Sequence, residues 1–275
     1  MDSYRVTRRK FLQLAGVAGG SAILAACAGA TPTAAPTAAP PVTGAPTTGG
    51  TLRWGHTDIG YIGKQFPWTM AGGVNHTPLV KMAQEGPFFR NALLELELNL
   101  AESAEYDSDF AAFTVHVKQG IKWSDGEPFT AHDIYGTALM AINPESSAGK
   151  GVESSLRLVK GGDAYWMGET KDPPEGMIVV DDYTIRFELA EPWSDAIWNI
   201  LGGQQTLPWH IYKPIFDDPE QRSKLRDFEN PLFLEPQMQI GTGPFVYEKG
   251  EKDVYMRYVK NPNYHGPEPK LDAVE

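Results

Sequence analysis

Residues 28 to 50 consist almost entirely of Ala, Pro, Thr and Gly. No hydrophobic core can begin there, because such a segment has too little apolar surface to offset the entropy lost on ordering. Its prolines and glycines keep the backbone extended or irregular. Any globular body in this 275-residue chain must therefore be built after residue 50. What remains is enough for one large or two modest domains.

The residues ahead of that segment read as an address. Thr7-Arg8-Arg9-Lys10-Phe11-Leu12 sets two arginines before a spacer and two apolar residues. An Ala- and Gly-rich run follows from Phe11 to Ala26, interrupted by Gln13 and Ser21. It is shorter than the ~20 apolar residues a membrane span needs. A charged start followed by a short apolar run is the pattern of an export signal. The run closes on Leu24-Ala25-Ala26-Cys27, small residues before a cysteine whose thiol can be acylated. We therefore expect 1–26 to be an export signal carrying Arg8 and Arg9, Cys27 to be the lipidation site, and 27–50 to be a tether. The expected location is the outer face of the cytoplasmic membrane, with the lipid as the membrane contact. The general secretory route remains open beside the twin-arginine route.

Cys27 is the single cysteine, which excludes an intrachain disulfide framework and a multi-cysteine metal site. Beyond the first 26 residues there are 20 basic and 34 acidic side chains, a net charge of -14. A surface this acidic repels phosphate backbones, so a nucleic-acid partner is not expected.

After residue 50 the pattern mixes strands and helices. Thr51-Leu52-Arg53-Trp54 follows a glycine hinge and reads as a short strand. Gly55 to Pro78 is punctuated by glycine and proline and reads as loop. Phe88 to Leu98 has mixed apolar spacing, for which a helix is expected. Phe113, Val115 and Val117 alternate and should share the buried face of a strand. Ser124-Asp125-Gly126 is a turn. Thr130 precedes Asp133 in a capping-box-like start for a helix ending before Pro144. Residues 143 to 176 read as a long loop or small insertion with Trp166 isolated in it. Tyr183 to Leu189 is the clearest strand, and Ala196 to Leu201 a helix end. Phe245 to Tyr247 and Val254 to Val259 flank Lys249-Gly250-Glu251 as a hairpin. Without regular alternation, the class is α/β or mixed α+β.

No constellation for catalysis emerges. The histidines His56, His76, His116, His132, His210 and His265 form no His-x-x-x-His pair. There is no Gly-x-Ser-x-Gly elbow. Gly241-Thr242-Gly243-Pro244 lacks the third glycine of a dinucleotide fingerprint, and its proline would block the helix that motif opens. Asp181-Asp182 and Asp217-Asp218 fit turns better than paired acid-base work. We expect no catalytic residue, no metal and no cofactor. Trp54, Trp68, Trp166, Trp193, Trp198, Trp209, Tyr61 and Tyr165 could line a cleft. Core packing is the expectation for any one of them.

Three segments carry a resemblance: Phe113 to Ile134 (FTVHVKQGIKWSDGEPFTAHDI), Val180 to Leu189 (VDDYTIRFEL) and Gly241 to Asp272 (GTGPFVYEKGEKDVYMRYVKNPNYHGPEPKLD). With Leu100-Ala101-Glu102-Ser103, they resemble the family 5 solute-binding proteins of ABC importers, which bind peptides, dipeptides and nickel. The resemblance implies a periplasmic-binding-protein type II-like fold, two-lobed and hinged, with a ligand cleft between the lobes. It implies domain I at 50–82 and 181–275 and an inserted domain II at 83–180. It also implies that the second main lobe is absent, so that this is a fragment with an incomplete cleft. The implied function is capture of a small solute, a peptide first, by a monomeric lipoprotein that delivers it to an ABC permease. Trp54, Thr57, Asp58 and Thr242 lie where the family's ligand loops fall and are the candidate binding residues. A secreted hydrolase acting on peptides or glycans and a ligand-presenting sensor domain are the alternatives. The segment Gly55-His56-Thr57-Asp58-Ile59-Gly60-Tyr61 departs from the family's Leu-Asp-Pro ending, which bears on the solute rather than the family.

Overall fold

The larger core starts from two antiparallel strands whose inward residues face each other. In the computed structural model, Phe113 pairs with Phe187 and Val115 with Ile185 across β5 (Ala112–Val117) and β7 (Thr184–Glu188). The two phenyl rings stack with centroids 5.0 Å apart, and all four side chains are sealed from solvent. β4 (Ala101–Tyr106) and β6 (Met177–Asp181) complete an antiparallel sheet in the order β4-β5-β7-β6. The structure describes residues 48–55, 82–146, 152–226, 239–251 and 254–275, all within one compact unit.

Helix α1 (Ala131–Ile142) lies against β6 and β7 and is buried on nearly every side. At its start the Asp133 carboxylate accepts the Thr130 N–H at 2.8 Å, the box expected from sequence. α1 also contacts α2 (Val152–Leu156), α3 (Gly162–Trp166) and α5 (Trp209–Asp217). A Cβ on Gly136 would lie 2.2 Å from the Trp209 ring, so the glycine lets the indole rest directly on the helix. α4 (Ala196–Ile200) and α6 (Pro219–Arg222) follow α3 and α5 along the chain. The described helices include none long and apolar enough to cross a membrane.

The segment from Phe88 to Leu98 is a hairpin and not a helix. β2 (Phe88–Arg90) pairs antiparallel with β3 (Leu96–Leu98). Asn91 is the reason: its Oδ1 accepts the N–H groups of Leu93 and Glu95 at 2.9 and 3.0 Å. That local capture closes a turn more readily than a helix. Leu94 takes the left-handed conformation at φ 64° to complete it. Residues 143–176 also hold more structure than a loop. Asn143 donates to the Tyr165 hydroxyl at 2.6 Å, and Leu156, Val159 and Tyr165 are buried. Trp166 packs against the larger core with Trp193 and Trp209.

A second sheet runs β1-β10-β9-β8, from β1 (Thr51–Leu52), β8 (Phe245–Glu251), β9 (Tyr255–Lys260) and β10 (Ala273–Val274). β1 is parallel to β10, and the others are antiparallel. Its own small core is Ala83, Phe245, Met256, Tyr258 and Val274. The division expected at 180/181 runs through β6, and the larger core takes residues from both sides of it, from Phe88 to Leu225.

Candidate functional site

Three turns meet where the larger core adjoins the smaller one. The first is the Trp123-Ser124-Asp125-Gly126 turn, closed by the Gly126 N–H to the Trp123 carbonyl at 2.9 Å with Gly126 at φ 100°. The second is Gly241-Thr242-Gly243-Pro244. Ser124 and Gly241 bond to each other twice: the Ser124 N–H reaches the Gly241 carbonyl at 3.0 Å, and the Gly241 N–H reaches Ser124 Oγ at 3.3 Å. The third is Asn261-Pro262-Asn263. Asn261 Nδ2 donates to the Gly243 carbonyl at 2.8 Å, and Asn263 Nδ2 donates to the Ser124 carbonyl at 3.1 Å.

Glycine is required in the middle turn because the backbones touch. A Cβ on Gly241 would fall 1.8 Å from the Ala83 carbonyl oxygen, and one on Gly243 would fall 2.3 Å from that of Met82. The Gly243 N–H then bonds the Ala83 carbonyl at 3.0 Å. Two histidine-carboxylate pairs flank the joint, Asp125 with His210 and Glu85 with His265, each at 2.8 Å.

Behind the joint lies a buried carboxylate. Asp133 accepts the Trp209 N–H on Oδ1 at 2.8 Å in addition to the Thr130 N–H. One turn further along α1, Thr137 Oγ1 accepts the Leu207 N–H at 2.9 Å. These two side chains fasten the 207–209 segment to α1. Burial pushes the Asp133 carboxyl above its ordinary value, against the opposing pull of the two N–H donors.

The expected binding residues are placed differently from one another. Trp54 follows β1, half exposed, with its N–H on the Glu275 carbonyl at 2.8 Å. A charged group surrounds that end of the sheet: Glu275 faces Arg53 at 3.2 Å and Arg257 at 3.5 Å. Thr242 is wholly enclosed in the joint, and its Oγ1 has no hydrogen-bond partner among the described residues. Thr57, Asp58, Arg8, Arg9 and Cys27 lie outside the described residues. Sequence reading gave no joining role to Ser124, Asn261 or Asn263, whose turn-forming types are common and whose role appears only when distant segments meet. Among the described residues no group of three or more His, Cys, Asp or Glu side chains converges to hold a metal ion.

The three turns fall within a longer match. Residues 95–275 fit the model of the "Bacterial extracellular solute-binding proteins, family 5 Middle". The chain belongs to family 5 of the bacterial extracellular solute-binding proteins. Di/tripeptide-binding protein 4 of Pseudomonas aeruginosa is 29% identical over 191 residues, 67% of this chain and 33% of that protein. Oligopeptide-binding protein AmiA of Streptococcus pneumoniae is 30% identical over 186 residues, 66% of this chain and 26% of that protein. The chain thus spans about a third or less of the length of these two relatives. Among solved structures, the oligopeptide-binding protein AppA of Bacillus subtilis, in complex with a nonapeptide, superposes with a TM-score of 0.62 at 22% identity. That match covers 84% of this chain and 40% of AppA. Listeria monocytogenes OppA bound to peptide gives 0.61 at 19% identity, covering 84% and 42%. These neighbours establish the periplasmic-binding-protein fold for the family 5 chain.

Proposed function

We propose that this family 5 chain serves in solute capture for an ABC importer, with peptides as the solute class. The family match over 95–275 carries the reading. The relatives' names supply the solute class, since both are described as peptide-binding proteins. In this reading residues 50–82 and 181–275 belong to the family's domain I and residues 83–180 to its inserted domain II.

Trp54 is our first candidate for solute contact, because it stands half exposed just after β1. Thr57 and Asp58 continue the chain from it. Thr242 is enclosed, so its part is to support the wall from behind. Arg8 and Arg9 direct export, and Cys27 carries the lipid that holds the protein at the membrane. The chain acts as a monomer that hands its solute to a permease and catalyses no reaction.

The test is deletion of the coding sequence in its host, followed by uptake of labelled short peptides. Lost uptake, restored by the wild-type gene, is the expected result. Unchanged uptake, together with peptide cleavage by the purified protein, would instead support a hydrolase.

A further inference from the structure

The β2-β3 hairpin turns one face to water. Residues paired across two strands share a face, so Phe89 and Glu97 lie side by side, with Asn91 and Glu95 next along. On the opposite face Phe88 is sealed in the larger core and Leu96 packs against it. Among the described residues, the large apolar side chains most open to water are Leu93 and Leu94 at the hairpin tip, 77% and 68% exposed. Phe89 on the outer face is exposed as well. Leu94 stands in the left-handed region at φ 64°, where a branched side chain is strained and a glycine is not. The turn alone therefore gives no reason for a leucine there. Apolar side chains displayed together on a surface mark interaction sites.

The same face carries charge that the protein leaves unneutralised. The Glu95 and Glu97 carboxylates both accept from Asn91 Nδ2, at 3.0 and 2.7 Å. Two like charges are thus held on one amide, and neither makes an ion pair with a described residue. Their mutual repulsion is a cost that a nearby cation would remove. Arg90, the cation on the same hairpin, turns away from them. Its guanidinium lies 4.1 Å over the Trp198 ring and donates to the Trp198 carbonyl at 3.4 Å.

We infer that the tip and outer face of this hairpin dock a protein partner whose surface sets an apolar depression inside a rim of lysine or arginine. Leu93 and Leu94 enter the depression, and the basic rim neutralises Glu95 and Glu97. An anionic membrane surface is repelled by the two carboxylates. A second copy brings the same two carboxylates and a chain charge of -11. A basic rim is the complement that relieves the repulsion and steers the encounter. Such a partner is additional to the solute, and peptide capture neither requires nor excludes it.

The experiment places photoreactive benzoylphenylalanine at position 93 of the full chain in its host and maps the cross-linked peptides by mass spectrometry. The expected adduct joins that position to a different protein, at a segment where lysine or arginine adjoins apolar residues. Glu95→Gln combined with Glu97→Gln keeps both acceptors for Asn91 and removes only the charge. That pair should lower the adduct yield about tenfold or more. The same label at Met167, exposed elsewhere on the chain, should not give this adduct. Leu94→Gly should also lower the yield while leaving the melting temperature unchanged or raised, because the turn suits glycine. A lowered melting temperature would instead make Leu94 a structural residue and count against docking. No adduct, an adduct confined to this chain or to lipid, the same adduct from position 167, or a yield indifferent to the two glutamates would each overturn the inference.

Discussion

Asp133 shows how one side chain can tie helix, turn and neighbouring segment together. It is almost fully buried and accepts two backbone N–H groups, from Thr130 and Trp209. Asp133→Ala leaves both donors without a partner. At about 1–3 kcal/mol per orphaned group, we expect a loss of about 2–6 kcal/mol, measured by urea unfolding. The carboxyl also sets a pH dependence. Burial raises its folded pKa above the ordinary 3.8, so the native state holds the proton more tightly than the unfolded chain. Its contribution is therefore largest below that ordinary value and is lost as pH rises through the folded pKa. Asp133→Asn should flatten this slope in stability measured across the same pH window. At Gly136 the constraint is steric. Gly136→Ala gains about 1 kcal/mol of helix propensity. It also drives a methyl into the Trp209 ring, a clash worth about 1–3 kcal/mol. The expected net result is a lower melting temperature.

In each of two elements one polar side chain fixes the backbone at a key point. β1 is two residues long and parallel to β10 at the edge of its sheet. Asp272 secures its start by accepting the Gly50 N–H at 2.7 Å. That N–H, followed by Lys260, holds the Asp272 carboxyl below the usual carboxylate value. A depressed pKa contributes stability above the unfolded value and loses it as pH falls through the folded one. We expect Asp272→Ala to speed amide exchange at Thr51 and Leu52 and to leave the larger core's exchange unchanged. The β2-β3 hairpin depends on Asn91 in the same way. Its tip exposes Leu93 and Leu94, so apolar burial does little to hold the turn. The polar capture by Asn91 does that.

At the scale of the whole molecule, two cores of unequal size are joined through backbone contacts between glycines and carbonyls. Among the described residues the smaller core holds five buried apolar side chains, and it meets the larger one at the joint. Gly241→Ala places a methyl against the Ala83 carbonyl and should uncouple the two. The expected outcome is a lower-temperature transition of the small sheet separating from the main one in calorimetry. Substitution of Cys27 tests the proposed export and anchor: Cys27→Ser should shift the protein from the membrane to the soluble fraction, assayed by fractionation and immunoblotting.

The sequence by itself determined where the globular body starts and which strands carry the larger core. Phe113, Val115, Val117, Ile185 and Phe187 alternate because a strand sends successive side chains to opposite faces, a period of two that is visible in one dimension. The capping box at Thr130 and Asp133 was visible because its partners are three residues apart. The Phe88–Leu98 hairpin was not, since a short apolar run has no decisive period and Asn91 acts through hydrogen bonds rather than hydrophobicity. Family membership was legible in the Trp123-Ser124-Asp125-Gly126 and Gly241-Thr242-Gly243 turns, but their purpose was not. Only the tertiary structure brought residues 83, 124, 241 and 263 together and buried Thr242. Contacts between segments more than a hundred residues apart leave no local pattern, because each glycine or asparagine obeys a neighbour that the chain order does not reveal.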